Sequence, residues 1–349
     1  MFPEEIFKAY DLDKDAVKVE VLQNGLINAT WKIISTEATF ILQKINTEVF
    51  KNPGAIAANV RLISDYLSQT NPGYLFAAQI PTVNGEELLK INADYYRLIP
   101  FVSDSHTIST VEKPEQAYEA AKKFGEFTRL LSGFAVEKLQ VTIPDFHNLS
   151  LRFQQFENAL KYGNKQRLKE SKDLIGAIES EKNIVYTYEN ILYNPSFKLR
   201  VTHHDTKISN VLFDSNDKGL CVIDLDTVMP GYFISDIGDM MRTYLSPANE
   251  EEKDFSKIEI RDDFFKAIYD GYMSQMKDEL NPEEKKQFIY SGKFMIYMQA
   301  LRFLVDHLNN DIYYGARYEG QNFIRAGNQM VLLQRLIEKE KELDKIISG

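Results

Sequence analysis

Residues 203–226, reading HHDTKISNVLFDSNDKGLCVIDLD, constrain this chain more than any other stretch. His203-x-Asp205 is followed four residues later by Asn210, and a second apolar run ends in Asp224-Leu225-Asp226. Val211 to Phe213 and Leu220 to Ile223 are short apolar runs flanking the turn-rich cluster Asp214-Ser215-Asn216-Asp217-Lys218-Gly219, so the segment predicts a β-hairpin. If the turn is centred near Asp217, residues opposed across the ladder have numbers summing to about 434, which sets Asn210 opposite Asp224. An Asn and an Asp then meet at the open end of the hairpin, where the loop carrying Asp205 departs.

An oxygen-only pair of this kind suits Mg²⁺ held jointly with substrate phosphates. The roles divide accordingly. Asp205 accepts the proton of an attacking hydroxyl, Asn210 and Asp224 hold the metal on ATP, and Asp226 is a further candidate ligand. Lys207 is either a cation for the transferring phosphoryl group or a solvated loop lysine. His203 is expected to brace the loop through a backbone hydrogen bond. A catalytic zinc site is disfavoured, because the five histidines, at 106, 147, 203, 204 and 307, offer no H-x-H or H-x-x-x-H spacing.

The chain around this motif divides by character. Ala16 to Leu22, Ala29 to Ile34 and Thr39 to Ile45 read as three antiparallel strands, followed by a helix from Pro53 to Ser68 and strands at Glu87 to Ile91 and Tyr95 to Pro100. From Lys113 onward helical periodicity dominates, near 114–131, 148–183, 260–279 and 283–308, and the charged run Glu338 to Lys345 reads as a solvated terminal helix. The expectation is an α+β, bilobal protein, with residues 1–98 a small β-rich lobe that binds nucleotide and residues 99–349 a larger, mostly helical lobe with the hairpin and acceptor pocket. A cleft between the lobes would take the nucleotide. Tyr96 to Phe101 is the expected connection, with Ile99 and Phe101 against the adenine.

Composition excludes several partners. With 349 residues, 44% of them hydrophobic, the chain can bury two cores. A net charge of −10 without a basic stripe opposes nucleic acid and anionic membranes as partners. No run approaches the roughly eighteen apolar residues of a membrane span. The opening MFPEEIFKAY lacks the basic and apolar regions of a signal peptide. Cys221 is the one cysteine, which fits a reducing, cytoplasmic setting. Oligomeric state is not readable.

His203, Asp205 and Asn210, with Val222-Ile223-Asp224-x-Asp226, resemble the catalytic patterns of the aminoglycoside phosphotransferase and choline kinase branch of the protein-kinase-like fold. The resemblance implies that Asp205 is the base and that Asn210 and Asp224 are metal ligands. Further segments, among them Asn24-Gly25-Leu26-Ile27-Asn28, Phe40 to Asn46, Ile143 to His147, Ile223 to Gly231 and Leu301 to Leu304 with Asp306, resemble bacterial N-acetylhexosamine 1-kinases. That family phosphorylates the anomeric hydroxyl of N-acetylglucosamine or N-acetylgalactosamine with ATP. No G-x-G-x-x-G exists, so Gly25 and Asn28 are the expected phosphate-loop residues. Lys44 is either the phosphate-binding strand lysine or an ordinary edge lysine, with Glu48 or Asn59 as possible partners because the helix from Pro53 offers no Glu. Asp-Leu-Asp in place of Asp-Phe-Gly, and the missing A-P-E, disfavour a protein acceptor. For a sugar acceptor the candidate contacts are His147, Arg302, Asp306 and Tyr314. His147 could equally cap the helix that follows it, and Arg302 with Asp306 could form a helix-face ion pair. Aminoglycoside, choline or homoserine acceptors remain open, as does a scaffold that binds nucleotide without turnover.

Overall fold

The computed structural model describes residues 3–22 and 27–348. After a short helix α1 (Glu4–Ala9), strands β1 (Lys18–Leu22), β2 (Ala29–Ile34) and β3 (Thr39–Ile45) pair as consecutive antiparallel neighbours. Helix α2 (Pro53–Thr70) starts with Pro53 in its first turn and with the Asn52 side chain accepting from the Ala55 amide. Strands β4 (Leu89–Ile91) and β5 (Asp94–Pro100) complete a five-stranded sheet of order β1-β2-β3-β5-β4.

Strand alternation gives this sheet two unlike faces. Ile33, Leu42, Tyr96 and Leu98 point one way and make a small core with Ile6 of α1 and Tyr10 just after it. Thr30, Gln43 and Arg97 point the other way and are linked by hydrogen bonds, Gln43 to Thr30 at 3.3 Å and Arg97 to Gln43 at 2.9 Å. Tyr96 to Pro100 thus belongs to the sheet itself, and the chain leaves it only at Phe101. It then forms β6 (His106–Thr107), which pairs with the hairpin.

The remainder is helical: α3 (Pro114–Leu130), α4 (Leu149–Tyr162), α5 (Lys165–Glu170), α6 (Lys172–Ser180) and α7 (Asn183–Tyr193) precede the hairpin region. The helical periodicity near 148–183 is divided among three helices. A Cβ at Gly163 would lie 2.5 Å from the Ala159 carbonyl oxygen, and Asn164 caps α5 through the amides of Gln166 and Arg167. Strands β7 (Arg200–Thr202), β8 (Val211–Phe213), β9 (Gly219–Val222) and β10 (Met229–Gly231) follow, then α8 (Phe233–Tyr244), α9 (Asp262–Met276), α10 (Pro282–Lys286), α11 (Phe288–Leu308) and α12 (Gln321–Ser348). One large core runs from α2 through α3, α8, α9, α11 and α12, with Phe124, Phe233, Phe265, Tyr297 and Leu333 fully buried. The protein is α+β, a sheet region followed by a mostly helical region. Among the described residues no helix is long and apolar enough to cross a membrane.

Candidate active site

Two short strand pairs bring the motif together. Residues 203–210 connect β7 to β8, residues 223–228 connect β9 to β10, and β7 pairs with β10 while β8 pairs with β9. Both loops are therefore clamped at both ends and lie side by side. The hairpin was expected from sequence; the β7–β10 pair, built on Met229-Pro230-Gly231, was not.

The register differs by one residue from expectation. Val211 pairs with Val222 and Leu212 with Cys221, and the Ile223 amide donates to the Asn210 carbonyl oxygen at 2.9 Å. The Asp214 carboxylate accepts from the amides of Asn216 and Lys218, which moves the turn centre toward Asn216. Asn210 faces Ile223 rather than Asp224. Asp224, in a left-handed conformation at φ 60°, is the next residue along and remains beside the Asp205 loop.

Asp205 is half-buried and held on one side. Its Oδ2 accepts from Lys207 Nζ at 2.8 Å and from Asn210 Nδ2 at 2.9 Å, whereas no hydrogen bond reaches its Oδ1 among the described residues. Burial opposes its ionisation, but the Lys207 ammonium and the Asn210 amide outweigh burial and hold the carboxyl below its ordinary value. It is a carboxylate at neutral pH. Asn210 Nδ2 also donates to the Asp205 backbone oxygen, which occupies the amide nitrogen and leaves the Asn210 Oδ1 as the group able to face a cation. Asp224 has no hydrogen bond or ion pair among the described residues. It keeps solvent access, yet the surrounding protein mass, then the like charges of Asp226 and Asp205, push its carboxyl up to about 6.

Helix α8 anchors the loop. Asp236 accepts the amides of His203 and His204 at 3.0 and 2.7 Å, and Asp239, one helical turn on, accepts the Thr206 amide at 2.8 Å. Burial pushes Asp236 up to about 6 despite those bonds. His203 is buried against Phe124 and its Nε2 reaches the Ile223 carbonyl oxygen at 2.9 Å, the bracing bond expected of it. Asp236 and Asp239 had no role in the sequence reading. Their i, i+3 spacing at the start of a helix, a few residues past the second motif, was the available signal.

Several expected residues stand elsewhere. Asp226 is buried with its oxygens engaged by the Arg97 guanidinium and by Asn28 Nδ2 at 2.7 Å. Asn28 Oδ1 in turn accepts the Asn46 amide, so Asn28 ties Asp226 to the sheet. Lys44 lies one residue past Gln43 and so projects from the opposite face of β3, where it pairs with Asp94 at 2.7 Å. Neither Glu48, which pairs with Lys51, nor Asn59, which bonds the backbone oxygens of Gln140 and Val228, holds it. The residues on the Asp226 side of the sheet are instead Gln43 and Arg97, a polar pair inside apolar strands that parity could have identified. Ile99 shares the Arg97 face, and Phe101 follows it with Lys32 Nζ 4.1 Å above its ring. Gly25 lies outside the described residues.

On the helical side, His147 meets His204. His204 Nε2 bonds Thr202 Oγ1 at 2.8 Å; that hydroxyl donates to the Met229 carbonyl oxygen, so His204 carries its proton on Nε2 and accepts from His147 Nδ1 at 3.2 Å. Burial pushes His204 down to about 4, and burial followed by the charges of His204, Arg302, Arg242 and Arg152 holds His147 well below its ordinary value. Asn148, not His147, caps α4. His147 stacks on Phe146, whose ring lies 6.0 Å from the Arg302 guanidinium. Arg302 and Tyr314 line a cavity of ≈ 810 Å³ with Arg152, Asn158 and Tyr313. Asp306 borders the same cavity but spends its carboxylate on the amides of Tyr313 and Tyr314 and on Asn322 Nδ2. It holds a loop in place, and the helix-face ion pair with Arg302, the alternative reading of these two residues, is absent among the described residues.

Residues 18–259, more than half of the chain, match a sequence model described as the phosphotransferase enzyme family. Solved structures share the whole fold at low identity. A microcompartment-associated aminopropanol kinase matches at TM-score 0.65 and 15% identity over 96% of this chain and 97% of its own. A spectinomycin phosphotransferase in complex with ADP and spectinomycin matches at 0.61 and 14%, over 97% of each chain. Choline kinase from Cryptosporidium parvum Iowa II matches at 0.58 and 16%, over 98% and 96%.

Proposed function

The chain belongs to the phosphotransferase enzyme family, and from that premise we propose that it transfers the γ-phosphoryl group of ATP to the anomeric hydroxyl of an N-acetylhexosamine, giving the sugar 1-phosphate. The observation that carries the phosphoryl-transfer reading is the unpaired Asp224 carboxylate beside Asn210 and Asp205. A carboxylate left among like charges, next to an amide oxygen, is a donor set that fits Mg²⁺. Asp224 and Asn210 would hold the metal; once bound it supplies charge neutralisation to the phosphate oxygens. Asp226 is assigned a bridging role between sheet and loop rather than a place in that set, because Arg97 and Asn28 already engage it.

Asp205 orients the acceptor hydroxyl through its open Oδ1 and takes its proton as the oxygen attacks phosphorus. Lys207, bound to Oδ2 of the same carboxylate, holds that orientation and adds a positive charge beside the transferring group. The face of the sheet bearing Lys32, Ile99, Phe101 and Arg97 is the surface assigned to the nucleotide, with residues 1–98 forming the nucleotide lobe. His147 and His204 are both neutral near pH 7 and are assigned to position the acceptor rather than to exchange protons with it.

The sugar assignment is supported by the segments quoted from the sequence and by the cavity beyond His147, whose rings and guanidinium groups suit a hydroxyl-rich, non-cationic acceptor. Purified protein with ATP and Mg²⁺, followed by ADP release against N-acetylhexosamines, hexoses, choline, homoserine and aminoglycosides, tests it. Release confined to choline, homoserine or aminoglycosides would overturn the sugar assignment.

A further inference from the structure

Positive charge exceeds negative charge at the wall of the cavity, where two arginines face one carboxylate, Asp306. Arg152 of α4 and Arg302 of α11 line the same cavity, and no ion pair is made by either among the described residues. The Arg302 guanidinium lies near the rings of Phe146 and Tyr313, at 6.0 Å, and of Tyr314, at 5.4 Å, contacts that leave its N–H donors free of those rings. Among the described residues one hydrogen bond restrains it, to Gln299 Oε1 at 3.3 Å.

Arg152 Nη1 donates to Gln155 Oε1 and Nη2 to the backbone oxygens of Asp145 and Phe146, while its Nε is buried without a partner. Burial, and then the charge of Arg302, depress the Arg152 guanidinium below its ordinary value, so the two cations are near enough to repel. The nearby carboxylates offset this only in part, since the Asp145 charge raises the Arg152 value by less than burial and Arg302 lower it. Asp306 is consumed by the Tyr313 and Tyr314 amides and Asn322, and Asp145 Oδ1 accepts from Asn148 Nδ2 while only its backbone oxygen meets Arg152.

Two neighbouring guanidinium groups, partly desolvated and facing one cavity carboxylate already bonded to two amides and Asn322, cost folding stability that a bound anion would return. We propose that Arg152 and Arg302 form an oxyanion subsite at the far side of the acceptor cavity, and that the preferred acceptor is an N-acetylhexosamine bearing a carboxylate or phosphate group away from its anomeric carbon. This inference rests on the sugar reading above. It also separates the chain from kinases of cationic amines, because an ammonium group in this cavity would meet like charge.

The test compares initial rates on N-acetylglucosamine, its 6-phosphate and its 6-carboxylate analogue, with Arg152→Gln, Arg302→Gln and the charge-conserving Arg152→Lys. The expected result is a higher kcat/KM for one or both anionic acceptors, and an anionic-to-neutral ratio that falls about 10–100-fold in each Gln variant, the effect of losing a charge-assisted hydrogen bond. Arg152→Lys retains most of the preference. Preference for the phosphate arm alone, or for the carboxylate arm alone, identifies the anion. Equal kcat/KM for neutral and anionic acceptors, or a uniform loss in the Gln variants, overturns the subsite.

If no N-acetylhexosamine of any charge is phosphorylated, the sugar reading fails. Calorimetric titration with inorganic phosphate then judges the arginines separately: binding to wild type that disappears in both Gln variants upholds the oxyanion subsite, and no binding removes it. Inorganic phosphate that raises KM for the anionic acceptors in wild type, but not for the neutral one, is also expected. The same rise for both would place the free ion at the nucleotide site and count against the subsite.

Discussion

Asp205 and Asp224 sit in neighbouring loops and are tuned in opposite directions. The Lys207 and Asn210 contacts keep Asp205 ionised, which is what a base for a hydroxyl requires, and its loss is not replaced by any second carboxylate within the same hydrogen-bond cluster. Asp205→Asn is therefore expected to lower kcat by at least about 10³-fold while ATP affinity, read by calorimetry, changes less than about threefold. Near-wild-type kcat would remove Asp205 from the base role. Asp224 carries the opposite bias. Its folded-state value of about 6 lies above the ordinary 3.8, so its ionisation costs stability as pH rises through that window and costs nothing below it. In metal-free protein Asp224→Asn should raise Tm above pH 6, by about 1–3 °C, and leave it unchanged near pH 4. The same substitution should raise the Mg²⁺ concentration needed for half-maximal rate by about tenfold or more. Protonation of Asp224 also predicts that wild-type kcat/KM for MgATP falls below about pH 6, and that additional Mg²⁺ moves the fall to lower pH; a profile insensitive to Mg²⁺ would assign the fall to another group.

At the scale of elements, the site is held by α8 and by two strand pairs, and these were unequally legible. The hairpin announced itself through apolar runs about a turn cluster, and the strands of the sheet through alternation, because both signals are local. The β7–β10 pair joins three-residue strands far apart in sequence, and nothing in Arg200–Thr202 or Met229–Gly231 names its partner. Register was misplaced by one residue because backbone and Asp214 side-chain bonds together centre the turn on Asn216. The face that Lys44 serves was illegible for a related reason: a strand's polar residues can be read from sequence, but their face depends on a parity that only Leu42, Gln43 and Arg97 together reveal. Asp306 and Asp226 show the same limit for carboxylates, since residue type does not reveal the bonds that each makes to the surrounding protein. The brace at α8 carries its own prediction. Asp236→Ala leaves the His203 and His204 amides without their acceptor in a buried setting, and should cost roughly 2–5 kcal/mol in denaturant unfolding, together with most turnover. A change under about 0.5 kcal/mol would show that water replaces the carboxylate there.

Across the whole molecule, sheet and helices are joined by a buried charge pair, Arg97 with Asp226, supported by Gln43 and Asn28. Removing one partner strands the other, so Arg97→Met should destabilise by about 3–5 kcal/mol, whereas Arg97→Met with Asp226→Leu should recover a large part of that loss. If the double variant is no more stable than the single one, the pair's hydrogen-bonded surroundings, rather than charge balance, set its worth. The arrangement places Asp224 and Asp205 under the Gln43 and Arg97 face of the sheet and beside His147 and its cavity. That juxtaposition of a polar sheet face, an ionised Asp205 beside Asn210 and Asp224, and a cavity lined by two arginines and one carboxylate is the basis for the proposed sugar-kinase reading. The most direct measurement is proton-coupled ³¹P NMR of the product formed from ATP, Mg²⁺ and an N-acetylhexosamine, run in parallel with wild type and Asp205→Asn. A phosphorus signal coupled to the anomeric proton, present with wild type and absent with Asp205→Asn, is the predicted result; phosphate on any other sugar oxygen, or unaltered formation of product by Asp205→Asn, would contradict it.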